Sequence, residues 1–293
     1  MKIFYIGCVK SSYIFLKALI EHNANIVGVA TMKSSKFHSD FTDLTPLCRE
    51  YQIPYIYVTN INADETIQFI QLSLPDIGFC FGWSQLVKSD IINMFPMGMV
   101  GYHPAALPNN RGRHPIIWAL ALGLEKTASS FFMLEALPDS GDILSQSEVE
   151  ILYEDTADTL MKKLLNTGEK QIITLWRELE NNTVSRISQS GSVGNTWRKR
   201  NRLDGQIDWR MSGKAIYNLV RALTRPYIGA YFEKNGAEIK VWRVREIINN
   251  HYRHIEPGKI VEVHQNSFCV KAGDNLIEVL ECDPVDISVG EYL

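Results

Sequence analysis

The feature that most constrains this chain is the regular alternation of short β-type runs with amphipathic stretches over residues 2–102. Apolar runs at 2–7, 26–31, 55–58, 77–81 and 98–102 are separated by helical patterns at 11–22, 41–51, 63–74 and 86–94. In the first helical pattern Ile14, Leu16, Ala18 and Leu19 supply the apolar side. Strand and helix alternating at this spacing build βαβ units. The prediction is an α/β fold, Rossmann-like and doubly wound, around a mainly parallel sheet.

The pattern then changes. Residues 127–134 and 143–151 read as strands flanking the turn Pro138-Asp139-Ser140-Gly141, and 156–180 as a long helix with Leu160, Leu164, Leu165, Ile172 and Leu175 on its apolar side. The stretch 181–204 is polar and rich in Asn, Ser, Gly and Arg, and reads as a linker. Beyond it come a helix at 212–221 and short strands at 230–233, 238–243, 259–263, 268–271 and 276–280, with Asn235-Gly236 as a hairpin turn. The expected domains are a catalytic α/β domain at 1–181, a linker at 182–204, and a small C-terminal β-rich, OB-like barrel at 205–293.

Composition excludes several classes of function. Five scattered cysteines with no C-x-x-C spacing argue against a disulfide scaffold or a zinc site, and no metal is expected. A reduced, cytoplasmic setting fits. A net charge of −3 gives no global field toward nucleic acid or anionic membrane, and no apolar run is long enough to span a bilayer. The amino-terminal segment, interrupted by Lys10 and Lys17, reads as a first strand and turn rather than a signal peptide.

The densest cluster of unusual residues is 101–120. His103 lies where an apolar strand ends, and ligands in open α/β sheets bind beyond such ends. Pro104 and Pro108 stiffen the following loop, while Arg111 and Arg113 flank Gly112 and offer guanidinium forks for phosphate or carboxylate. Taken alone, His103 reads equally as a solvated loop histidine, and Asp139-Ser140-Gly141-Asp142 as a simple turn. Trp83 and Trp118 are candidates for ring stacking, with a core role the expectation for Trp118.

Together the clusters are specific. The order His103-Pro-x-x-Leu-Pro-x-x-Arg-Gly-Arg-x-Pro, followed by Asp139-Ser-Gly-Asp-Ile, resembles the folate-dependent formyltransferases, a superfamily of tRNA and nucleotide-sugar enzymes. Phe79 to Met94 looks like the family's pterin-holding strand and loop. Thr196-Trp197-Arg198-Lys199-Arg200 and Asp204-Gly205-Gln206-Ile207-Asp208-Trp209 resemble the start of its C-terminal domain. The segment from Asn218 to Tyr227, followed by Gly229-Ala230, is most similar to the sugar branch, notably enzymes acting on UDP-4-amino-4-deoxy-arabinose.

The resemblance implies 10-formyltetrahydrofolate as formyl donor. The mild net acidity and the sugar-like segment favour an amino sugar carried on UDP or dTDP as acceptor and no nucleic-acid partner. The alternatives are a methionyl-tRNA formyltransferase or a catalytically impaired relative. The resemblance is compatible with a homodimer. It makes His103 and Asp139 the catalytic pair, Phe81, Gly82, Trp83 and Leu86 the folate-binding residues, and Arg111 and Arg113 substrate contacts. As an amine adds to a formyl carbon, negative charge develops on the formyl oxygen. A donating imidazole stabilises that charge, and a carboxylate orients the ring and handles the amine proton. The family places an asparagine two positions before the histidine, where this chain has Gly101. Either the chain is catalytically weak or another donor takes the amide's place. The favoured expectation is replacement, the glycine leaving room there for water or substrate.

Overall fold

The computed structural model describes residues 1–35 and 39–293. It forms two compact units: 1–112 with 127–149 and 162–197, and 113–126 with 150–161 and 198–293. The single stretches expected for the domains are thus interleaved, because 113–126 and 150–161 cluster with the carboxyl-terminal residues.

In the first unit the chain runs β1 (Lys2–Gly7), α1 (Lys10–Glu21), β2 (Asn25–Thr31), α2 (Thr45–Glu50), β3 (Tyr55–Tyr57), α3 (Asp64–Ser73), β4 (Ile77–Phe81), α4 (Ser89–Ile92), β5 (Met99–His103) and β6 (Arg111–Gly112). α5 (Pro115–Ala121) belongs to the second unit, and β7 (Lys126–Met133), β8 (Ile143–Glu150), α6 (Ala157–Glu180) and β9 (Thr196–Trp197) follow. Seven strands make one sheet in the order β3-β2-β1-β4-β5-β7-β8. The pairs from β3 to β5 are parallel, and β7 turns antiparallel against β5. The strand order reverses between β1 and β4, so the ligand-binding crevice of such a sheet opens beyond Gly7, Phe81 and His103.

The core explains the continuous apolar runs. Residues Ile3 to Ile6 are fully buried, as strands covered on both faces require. Phe15, Phe81, Tyr102 and Phe131 meet edge-on or tilted, with centroids 4.9–5.8 Å apart. Buried Ser12 locks the two loops at the switch point. Its Oγ accepts from the N–H groups of Cys8 and Val9 and donates to the Phe81 carbonyl at 2.6 Å.

The second unit holds α7 (Gly213–Leu223) and the strands β10 (Ala230–Lys234), β11 (Ala237–Ile247), β12 (Ile260–Val263), β13 (Phe268–Lys271) and β14 (Leu276–Cys282). These five form an antiparallel sheet in the order β10-β11-β14-β13-β12. Asn235 and Gly236 both have positive φ, 53° and 78°, the backbone that a two-residue hairpin needs. Arg221 is buried and donates to the carbonyls of Leu152, Tyr153 and Asp155 and to Asn218 Oδ1, so it is a structural cation. Among the described residues no helix is long and apolar enough to cross a membrane.

Candidate active site

His103 ends β5, and its loop is anchored from the neighbouring strands. Ser130 Oγ donates to the Ala105 carbonyl at 2.6 Å, and Gln146 Nε2 donates to the Leu107 carbonyl at 2.9 Å. The two prolines therefore stiffen a segment that β7 and β8 already hold. The His103 ring is buried, and its Nε2 lies 2.8 Å from the Asn110 carbonyl. A carbonyl only accepts, so Nε2 carries a proton and Nδ1 is the atom left to face the site. Nδ1 looks toward Asp139 Oδ2 at 3.9 Å.

Asp139 is held from both sides. Its backbone is left-handed, with φ +57°, and its Oδ2 accepts the Gly112 N–H at 2.9 Å. Gly112 is required there. Its φ is +98°, and a Cβ would lie 2.2 Å from the Trp197 carbonyl oxygen across the β6–β9 pair. The structure thus brings His103 and Asp139 together from separate loops.

Arg111 is not a free fork. Its Nε and Nη2 both donate to Gln189 Oε1, at 3.3 and 2.8 Å. Arg113 clusters with the second unit, where with Arg200 and Lys199 it adds to the burial that pushes His114 below the usual imidazole range. In that unit Trp118 is half-buried rather than a core residue. The guanidinium groups of Arg198 and Arg200 lie 5.3 and 4.9 Å from its ring centroid, and its Nε1 donates to the Arg198 carbonyl.

The four expected folate residues divide by role. Phe81 is fully buried in the aromatic core, and its carbonyl is taken by Ser12, so its side chain serves packing. Gly82 has φ +61°, and a Cβ would lie 2.0 Å from Val9 Cγ2. The turn needs a glycine. Trp83 packs on the cluster of Phe4, Ile6 and Met99, and its Nε1 is buried without a partner. Leu86 is 61% exposed. Its carbonyl accepts from Asn62 Nδ2, whose Oδ1 in turn accepts the Lys88 N–H. Gln85 ties the same loop to Ile61 and Thr59. The loop after β4 is therefore pre-ordered by hydrogen bonds, and Trp83 beside it carries a buried indole N–H without a partner.

Gly101 does not leave open space. It pairs with Phe132, and a Cβ there would lie 2.9 Å from Phe132 Cζ and 2.7 Å from Leu134 Cδ2. Paired residues share a sheet face, so that ring occupies the volume expected for water or substrate. The place of the family's amide is apolar.

The sequence reading missed Gln189 and Asn62, whose side chains bond to residues far off in sequence. Among the described residues one trio of metal-ligating types, Glu262, His264 and Cys269, converges within 4.8 Å in the second unit. Glu262 there already binds the Tyr252 hydroxyl and His264.

The crevice end of the parallel sheet thus carries the His103–Asp139 pair, with the pre-ordered loop after β4 beside the switch point. The chain belongs to the formyl transferase family: the Formyl transferase model matches residues 15–175, and the Formyl transferase, C-terminal domain, model matches 200–287. It is 27% identical over 293 residues to the bifunctional polymyxin resistance protein ArnA of Wigglesworthia glossinidia brevipalpis, covering 99% of this chain and 44% of that protein. It is also 27% identical over 285 residues to methionyl-tRNA formyltransferase of Alkaliphilus oremlandii (strain OhILAs), covering 96% and 91%. The chain thus spans less than half of the first of these relatives. Among solved structures the fold matches WlaRD, a sugar 3N-formyl transferase, with TM-score 0.72 and 18% identity over 98% of this chain and 99% of that one. An N-formyltransferase from Helicobacter canadensis gives TM-score 0.72 and 17% identity over 96% and 99%.

Proposed function

We propose that this formyltransferase moves a formyl group from 10-formyltetrahydrofolate to the amine of an amino sugar carried on a nucleotide, UDP or dTDP. The observation that carries the acceptor class is the state of the basic run at 198–202. Arg198 pairs with Asp204, Arg200 donates to the Asp204 carbonyl and lies over Trp118, and Arg202 pairs with Glu233 and Glu238. These guanidinium groups are engaged by the chain's own carboxylates and rings, where a tRNA enzyme needs cations turned to phosphates. A chain of net charge −3 agrees. The fold neighbours add support: WlaRD was solved with dTDP and 5-N-formyl-THF, and the Helicobacter canadensis protein with folinic acid and dTDP-3-aminofucose.

When bound, the folate supplies the activated formyl carbon, and the loop 82–88 is the assigned holder of its ring. The remaining work falls to the chain's own side chains. His103 presents Nδ1 to the site, and in its protonated form donates to the oxygen on which charge develops. Asp139, oriented by the Gly112 N–H on Oδ2, faces that nitrogen across 3.9 Å. We assign Asp139 Oδ1 to take the proton released by the attacking amine and to return it to the donor nitrogen as its bond to the formyl carbon breaks. With an apolar surface at Gly101, His103 is the principal donor to the oxygen.

Acceptor binding measured against salt tests the class. A nucleotide-sugar makes few phosphate contacts, so its affinity falls only modestly from low to physiological salt. Specific binding of initiator tRNA with a loss of orders of magnitude over the same range would replace this reading by the tRNA enzyme.

A further inference from the structure

We infer that Gln189 is a positioning residue for the transfer, clamping Asp139 into register with His103. The inference rests on the reading of those two residues as the reacting pair. Gln189 lies in the polar stretch that sequence reading assigns to a linker, yet its residue exposure is only 4%. Its Nε2 donates to the carbonyls of Asp139 and Gly141, at 3.1 and 2.6 Å. Its Oε1 accepts from Arg111 Nε and Nη2. A primary amide has two donor hydrogens and two acceptor sites. All four are used.

The contacts close a ring. Gln189 fixes the backbone of Asp139, which sits in the left-handed region at φ +57°. It also fixes Arg111, whose neighbour Gly112 supplies the N–H that orients the Asp139 carboxylate. One side chain therefore holds both the loop that carries the carboxylate and the strand that aims it. Without Gln189, two carbonyls and a guanidinium lose their partner together, and the 3.9 Å spacing between Asp139 Oδ2 and His103 Nδ1 loses its support. Glutamate keeps an acceptor for Arg111 but sets a carboxylate against two carbonyl oxygens. Methionine keeps the volume and makes none of the bonds.

The test uses the full chain with 10-formyltetrahydrofolate, and dTDP-3-aminofucose or UDP-4-amino-4-deoxy-arabinose as probe acceptor. Gln189→Met and Gln189→Glu should each lower kcat about tenfold or more, with KM for the folate within about threefold of wild type. In an Asp139→Asn background, Gln189→Met should lower kcat by less than about twofold more, because it acts through the residue already disabled. A second readout needs no acceptor. In protein labelled with 15N-histidine, with the His103 signals assigned from His103→Ala, Gln189→Met should move the His103 ring resonances as Asp139→Asn does. Wild-type kcat in both Gln189 variants, effects that multiply with Asp139→Asn, or unmoved His103 resonances would each overturn the inference. Should Gln189→Met fail to fold, Gln189→Glu carries both readouts. Normal transfer by Asp139→Asn itself would instead remove the catalytic pair, a separately visible failure.

Discussion

Replacing Gly101 by asparagine restores the side chain that the family carries, and the structure predicts that it does not restore a donor. A Cβ at this position meets Leu134 Cδ2 at 2.7 Å and Phe132 Cζ at 2.9 Å, closer than carbon atoms pack. Phe132 is 2% exposed, so its ring has little freedom to retreat. Overfilling a packed site costs about 1–3 kcal/mol, and removing a strand glycine returns roughly 0.5–1 kcal/mol of that. A net loss of about 1–2 kcal/mol lowers the Tm of a domain this size by roughly 2–8 °C. Gly101→Ala isolates the Cβ contact and should show most of the shift. Gly101→Asn with Phe132→Val removes the ring that blocks the amide, and transfer should exceed that of the single variant. The assays are thermal unfolding and formyl transfer at saturating donor. A Gly101→Asn protein that melts at the wild-type temperature and turns over a hundredfold faster, the worth of one oxyanion donor at about 100–1,000-fold, would refute the packing argument.

Three further outcomes are expected. His103→Ala or Asp139→Asn lowers turnover by roughly a hundredfold or more while folate binding, followed by fluorescence titration, is retained. Arg221→Met strands the carbonyls of Leu152, Tyr153 and Asp155 and destabilises the chain by about 1–3 kcal/mol in denaturant unfolding, with no direct effect on the His–Asp pair. Asp204, held by its hydrogen bonds to Arg198, has its carboxyl lowered from 3.8 to about 2. Its folded value lies below its unfolded one, so the stabilisation is present above pH 3.8 and is lost as pH falls toward 2. Asp204→Asn should flatten the acid limb of stability in that window, as read by unfolding midpoints.

Much of the fold was legible because it is periodic. The alternation over 2–102 pointed to the doubly wound, mainly parallel class, and Asn235-Gly236 to the hairpin between β10 and β11. Lengths were less legible. The expected helix at 41–51 shrinks to Thr45–Glu50, which starts at Pro46's first-turn position, and the one at 86–94 shrinks to Ser89–Ile92, because 85–88 is hydrogen-bonded to the 59–62 loop. The short α5, which begins at Pro115, escaped notice. In the candidate site, the resemblance singled out His103 and Asp139, which the fold brings within 3.9 Å of each other. Gln189 was not, since a glutamine among Ser and Gly has no local pattern and its partners lie far off in sequence. Gly101 misled for the opposite reason. A missing side chain suggests space, and only the neighbouring strand shows that Phe132 fills it.

The most direct test of the central account is transfer itself. The purified chain is incubated with 10-formyltetrahydrofolate and either dTDP-3-aminofucose, UDP-4-amino-4-deoxy-arabinose or charged initiator tRNA, and the products are resolved by mass spectrometry. The account predicts an N-formylated nucleotide-sugar, formed by wild type and reduced roughly a hundredfold in His103→Ala. Formylated methionyl-tRNA with unmodified sugars, or undiminished sugar formylation by His103→Ala, would contradict it.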